Sequence, residues 1–255
     1  MDLNFLEIFI LAAIQGISEF IPVSSSAHLF FISEMHNFKS QNLLTDIGLH
    51  LGSLLAIITY FRNEFIDIFN NKNLLFLLLF GSLPLLIFGT IIYQTGLIYY
   101  FRNIQLIAWT TLIFAIILYF VDKFETKKKI ETDLKIKSII IIGFFQILAL
   151  IPGVSRSGIV ITAGRFLNFN RYDSTKISFY LSVPAIAGAS FLGLKDLFSE
   201  NIDLNITVLI SIILSFIFSY FSIKYFLIFV KKFTLNFFVI YRIILSIILF
   251  FIIYS

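Results

Sequence analysis

The chain has 255 residues, 59% of them hydrophobic and 13% charged, with no cysteine; mean hydropathy is +0.97. Soluble domains carry about 25% charged residues, so this chain could not cover a water-facing globule, and lipid is its expected solvent. The missing cysteines exclude disulfides, thiolate metal sites and thiol nucleophiles, and the net charge of +4 matters less than where Lys and Arg fall along the chain.

In chain order, residues 5–33 are apolar for two helical turns and then read QGISEFIPVSSSAH over 15–28. No Lys or Arg occurs in the first 38 residues, so the basic start of a cleavable signal peptide is missing. Apolar runs at 47–61, 74–93 and 104–121 follow. A Lys-rich stretch, 122–137, precedes a second interrupted region, 138–165, that contains PGVSRSG at 152–158. Further apolar runs fill 177–194, 204–223 and 237–254. Most runs have 17 to 20 residues, enough for a helix to cross the hydrocarbon core. The two interrupted regions place Pro, Gly and Ser where a straight span needs none, and broken backbone at membrane depth requires protein or a water-filled cavity around it.

The interruptions match each other at a shift of 131 positions. Gln15 falls on Gln146, Val23 on Val154, Ser24 on Ser155, Ser26 on Ser157 and small Ala27 on small Gly158. Basic residues give an independent test. With 62–73, 122–137, 171–176 and 224–236 inside, thirteen Lys and Arg lie inside and three (Lys39, Arg102, Lys195) outside, the bias of the positive-inside rule. Three spans then separate the interruptions, so one enters from each side and the halves are inverted repeats whose Ser-rich turns meet near the midplane. The expected architecture is one all-α membrane domain of six transmembrane helices plus two re-entrant hairpins. Repeat 1 covers about 1–121, a cytoplasmic loop 122–137, and repeat 2 about 138–255.

Gln15 and Glu19, four apart, share a helix face, and a carboxylate in an apolar segment is a functional candidate by default. Ser24, Ser25 and Ser26 follow the helix-breaking Pro22, with His28 just beyond. Hydroxyls beside the free N–H groups of a helix start form an anion cradle, or simply cap the helix. Arg156, between Ser155 and Ser157, can grip a phosphate through paired hydrogen bonds, or pair with Glu19. Asp46 and His50 share a face of the next span, where lining the same cavity and ordinary helix packing weigh equally. His36, Arg62, Arg102 and Lys127–Lys129 read as loop residues, and Arg242 as a snorkelling residue near the inner surface.

QGISEFIPVSSSAH followed far downstream by PGVSRSG resembles the undecaprenyl-diphosphate phosphatase family, the bacitracin-resistance proteins of bacterial inner membranes. DIGLHLGSLLAI, SFYLSVPAIAGA and IYRII are similar to that family's other spans. The resemblance implies hydrolysis of undecaprenyl diphosphate to undecaprenyl phosphate, recycling the carrier lipid of peptidoglycan synthesis. It also implies a divalent cation, Mg2+ or Ca2+, and a site open to the periplasm. By resemblance Glu19, Ser25, His28 and Arg156 are catalytic; Ser24, Ser26, Ser155, Arg156 and Ser157 hold phosphate; Glu19 and Gln15 hold the metal. Gln15 stands where many members carry Glu. Val160 stands where a hydroxyl often occurs, with Thr162 the nearest substitute. The nucleophile is left among Ser25, His28 and water. The expected partners are the polyprenyl diphosphate and membrane lipids, with room for a homodimer and no nucleic acid. The rival is a lipid-phosphate transporter built on the same pocket. A phosphatidic-acid-phosphatase type is excluded, because it needs a His after its Ser-Arg block, and His28, His36 and His50 all precede Arg156.

Overall fold

The computed structural model describes residues 5–36, 38, 42–97, 100–101, 103–199 and 206–254, with the side chains of 30, 33–36 and 195–199 left aside. The described residues form helices α1 (Phe5–Ser18), α2 (Ser25–His36), α3 (Leu43–Tyr60), α4 (Arg62–Asn70), α5 (Lys72–Gln94) and α6 (Ile104–Val121). They continue as α7 (Ile130–Asp133), α8 (Ile136–Ile147), α9 (Arg156–Phe166), α10 (Arg171–Ser199), α11 (Ile206–Lys232) and α12 (Asn236–Tyr254). Six of them, α3, α5, α6, α10, α11 and α12, are long and apolar enough to span a bilayer, which makes the chain a multi-pass membrane protein. His36, Lys39, Arg102 and Lys195, read from sequence as loop or outer-side residues, lie outside the described side chains.

Polarity is turned inside out along the spans. Ile213, Ile217 and Phe221 on α11 and Ile244, Ile248 and Phe251 on α12 are exposed, as lipid-facing side chains must be. Ser53, Ser211, Ser215 and Ser219 are fully buried between α3 and α11, where Ser53 and Ser215 hydroxyls lie 3.1 Å apart. Small residues there let backbones approach closely: a Cβ added at Gly52 would sit 2.4 Å from the Ile212 carbonyl oxygen.

Each interruption is a pair of short helices around a hinge, α1 and α2 at the first and α8 and α9 at the second. At about 1.5 Å per residue, none of these four is long enough to cross a core of about 30 Å. Packing exchanges the halves: α1 lies against α11, α8 against α5, and α6 against α12. Lys224, Lys231 and Lys232, expected in a loop, instead ride on α11, which runs on to Lys232. Their long stems let the ammonium groups reach water from a helix that continues past the apolar run.

One polar cluster ties several loops together and was not anticipated. Buried Asp122 accepts Arg165 Nε at 3.2 Å and Arg171 Nε at 2.7 Å, and Leu235 N–H at 3.1 Å. Arg165 also donates to the carbonyls of Phe169 and Phe124. The ends of α6 and α9 and the starts of α10 and α12 are thereby fastened to one carboxylate.

Candidate active site

The hinges share a backbone form. Ser24 has φ 75° and Ser155 φ 71°, a left-handed conformation that costs a non-glycine residue about 1–3 kcal/mol. In each hinge a Ser meets the Ser two residues on: Ser24 and Ser26 Oγ are 3.3 Å apart, Ser155 and Ser157 Oγ 3.2 Å. Gly153 (φ 89°) lets the second hinge press on α6, since a Cβ there would lie 2.2 Å from Thr110 Oγ1. Thr110 Oγ1 donates to the Pro152 carbonyl at 2.7 Å.

Across the hinges stands an ion pair. Arg156 Nη2 lies 2.8 Å from Glu19 Oε1, and both side chains are nearly excluded from solvent, 11% and 8% exposed. Arg156 Nη1 also donates to the Ser178 carbonyl at 3.1 Å. The second Glu19 oxygen accepts Ser25 Oγ–H at 2.7 Å and Gln15 Nε2–H at 3.1 Å. Gln15 Nε2 also lies 3.0 Å from His50 Nδ1. His50, for which cavity lining and helix packing weighed equally in the sequence, therefore belongs to this polar set. Gln15 Oε1 is buried without a hydrogen-bond partner.

The serines divide by environment. Ser26 is exposed and Ser25 half-buried, so the start of α2 is the accessible edge of this polar set. Ser155 and Ser157 are buried and used locally: Ser155 Oγ accepts the Gly158 N–H at 3.1 Å, capping α9, and Ser157 Oγ donates to the Ile21 carbonyl at 2.8 Å. Thr162 is turned back onto its own helix, donating to the Gly158 carbonyl. His28 does not bond to Ser25 or Glu19. Its Nδ1 lies 2.7 Å from the Ser24 carbonyl and its Nε2 2.5 Å from the Tyr241 hydroxyl.

Arg242 overturns its snorkelling assignment. It is 1% exposed and donates to the carbonyls of Gly153 (2.8 Å) and Val154 (3.2 Å) and, at 3.5 Å, of Pro22. Hinges lack the helical N–H groups that would otherwise satisfy those carbonyls, and a guanidinium with five donors replaces them. Periodicity gave no hint of it; the only signal was a lone Arg inside an apolar span.

Fold and site together define a multi-pass membrane protein with a buried, charge-paired, hydroxyl-rich side-chain cluster between two broken helices. Residues 8–248 match the family described as Bacitracin resistance protein BacA, and the chain belongs to that family. It is 58% identical over 203 residues to an undecaprenyl-diphosphatase of Pelagibacter ubique, covering 79% of each chain. It is 41% identical over 203 residues to the undecaprenyl-diphosphatase of Elusimicrobium minutum, covering 76% of this chain and 78% of that one. It is also 35% identical over 213 residues to that of a Ruegeria species, covering 78% and 80%.

Proposed function

We propose that this protein hydrolyses undecaprenyl diphosphate to undecaprenyl phosphate and inorganic phosphate, returning the carrier lipid to peptidoglycan synthesis and conferring bacitracin resistance. The observation that carries the proposal is the Arg156–Glu19 pair, joining residues 137 positions apart at 2.8 Å beside the Ser24–Ser26 turn. Phosphoryl transfer depends on positioning and on neutralising charge at the phosphoryl oxygens. Arg156 swings from Glu19 to the terminal phosphate and holds it in place with the hydroxyls of Ser24 and Ser26. Ser155 and Ser157 shape the second hinge so that Arg156 stands at the start of α9.

Ser25 is the nucleophile in this reading, because its hydroxyl already donates to Glu19 at 2.7 Å. Glu19 takes that proton as the Ser25 oxygen bonds to the terminal phosphorus and the bridging P–O bond breaks. Undecaprenyl phosphate leaves, and water then releases phosphate from the serine. In that second step His28 Nε2 takes a proton from the attacking water and Glu19 returns its proton to the Ser25 oxygen.

A divalent cation, Mg2+ or Ca2+, fits the donors present. Glu19 offers a carboxylate and Gln15 a buried oxygen with no other partner, the hard donors such ions take. Among the described residues no three His, Asp or Glu side chains converge, so Glu19 and Gln15 would hold the ion only together with ligands from outside the chain. When bound, the ion neutralises diphosphate charge.

The short helices of both interruptions support re-entrant segments, and the matching hinges support inverted repeats. The family supports the bacterial inner membrane, and the assignment of the basic loops to the inside supports a site open to the periplasm. Phosphate release from undecaprenyl diphosphate by purified protein in detergent tests the reading. Release that a chelator stops and Mg2+ or Ca2+ restores is expected. No release under any of these conditions would overturn it and leave a carrier using the same pocket.

A further inference from the structure

The IYRII segment of α12 carries two polar side chains, Tyr241 and Arg242, and only Arg242 has been accounted for by the hinge carbonyls. Tyr241 meets His28. Their rings stack with planes 11° apart and centroids 5.6 Å apart, and the Tyr241 oxygen is 2.5 Å from His28 Nε2. On the other side of the ring, Nδ1 faces the Ser24 carbonyl at 2.7 Å. A carbonyl only accepts, so Nδ1 carries the hydrogen, and in the neutral imidazole Nε2 accepts from the Tyr241 hydroxyl.

We infer that Tyr241 is a positioning residue for His28, fixing the tautomer and the ring plane in which the imidazole serves the phosphatase reaction. The inference rests on the proposed function, in which His28 handles a proton. Two contacts are needed because one hydrogen bond leaves a ring free to pivot about it. The Ser24 carbonyl fixes one nitrogen to the strained first hinge, whereas Tyr241 fixes the other nitrogen and the ring face from α12. The Ser24 carbonyl on Nδ1–H makes Nε2 the reactive nitrogen, and the Tyr241 hydroxyl holds that nitrogen in place until the reacting proton replaces it. Here that hold comes from the far end of the chain, 213 residues away. Tyr241 is itself exposed, so core packing does not account for the stacking geometry.

The test uses full-length protein in detergent, with phosphate release measured across undecaprenyl diphosphate concentrations for the parent, Tyr241→Phe, His28→Gln and the double variant. Tyr241→Phe keeps the ring stack and removes only the hydroxyl. The expected result is a kcat lowered about tenfold or more with KM within about twofold, within the range by which acid–base groups act. In the His28→Gln background Tyr241→Phe should add no further loss, as two residues acting through one contact couple. Thermal unfolding recorded in parallel shows that each variant is folded. A Tyr241→Phe kcat within about twofold of the parent while His28→Gln is impaired would overturn the inference and spare the phosphatase reading. An equal further loss in the His28→Gln background would also overturn it, because Tyr241 would then act elsewhere. Full activity in His28→Gln would remove the proton role of His28 and this inference with it. Absence of phosphate release by the parent protein would instead sink the proposed function itself.

Discussion

At the scale of single residues, the site is an economy of few charges. Glu19 serves three partners at once: Arg156, Ser25 and Gln15. Removing one member of a buried pair leaves the other charge uncompensated, at a cost of about 3–5 kcal/mol, so stability and activity change together. Glu19→Gln keeps the shape but not the charge. Its kcat should fall about 10²-fold or more, with a lowered unfolding temperature, read by phosphate release and thermal unfolding in detergent. Ser25→Ala removes only a hydroxyl from a half-buried position. It should unfold at the parent temperature yet lose phosphate release about as completely as Glu19→Gln.

Much of this was legible in the sequence, and the reason is membrane physics. A carboxylate at 19 and a guanidinium at 156 stand out because charge in an apolar segment is expensive. The serine roles were harder to read. Ser155 caps α9 and Ser157 holds the Ile21 carbonyl, a division that composition cannot reveal. The parts played by His50 and Tyr241 were not legible for the same reason: each lies on another helix, and only tertiary packing brings His50 to Gln15 and Tyr241 to His28.

At the scale of elements, the hinges and the Asp122 cluster do the structural work. Helix breaks at Pro22 and at Pro152–Gly153 were visible from residue type, since Pro and Gly disfavour helix interiors. The clamp that holds them was not, because Arg242 looks like any Arg near a span end until its carbonyl partners are seen. Gly153→Ala would force a Cβ against Thr110 and the Ile107 carbonyl at positive φ. It should destabilise the protein by about 1–3 kcal/mol from the backbone alone, with overlap adding to this, seen as a lower unfolding temperature. Asp122→Ala strips the shared acceptor from Arg165 and Arg171. A loss of about 3–5 kcal/mol is expected, whereas phosphate release by the fraction that stays folded at low temperature should remain near the parent level. Equal loss of turnover per folded molecule would show that the cluster reaches the site.

For the molecule as a whole, six spans and two interruptions were read from hydropathy and from Pro, Gly and Ser placement, because lipid forces every span to be apolar and helical. Helix ends were read less well: α11 carries its Lys residues past the apolar run to Lys232. The chain has no cysteine, so single introduced cysteines report sidedness cleanly. Lys128→Cys should react with a membrane-impermeant thiol reagent only from the cytoplasmic side, and Gly96→Cys only from the opposite side; the reverse pattern would invert the proposed orientation. The two halves meet in one pocket only if Arg156 of the second hinge serves the lipid phosphate held by the first. Phosphate release from undecaprenyl diphosphate by folded Arg156→Ala protein measures that dependence directly. A fall of about 10³-fold or more, as when a charge-stabilising arginine is removed from a phosphoryl-transfer site, is the predicted result, and turnover within about tenfold of the parent would contradict it.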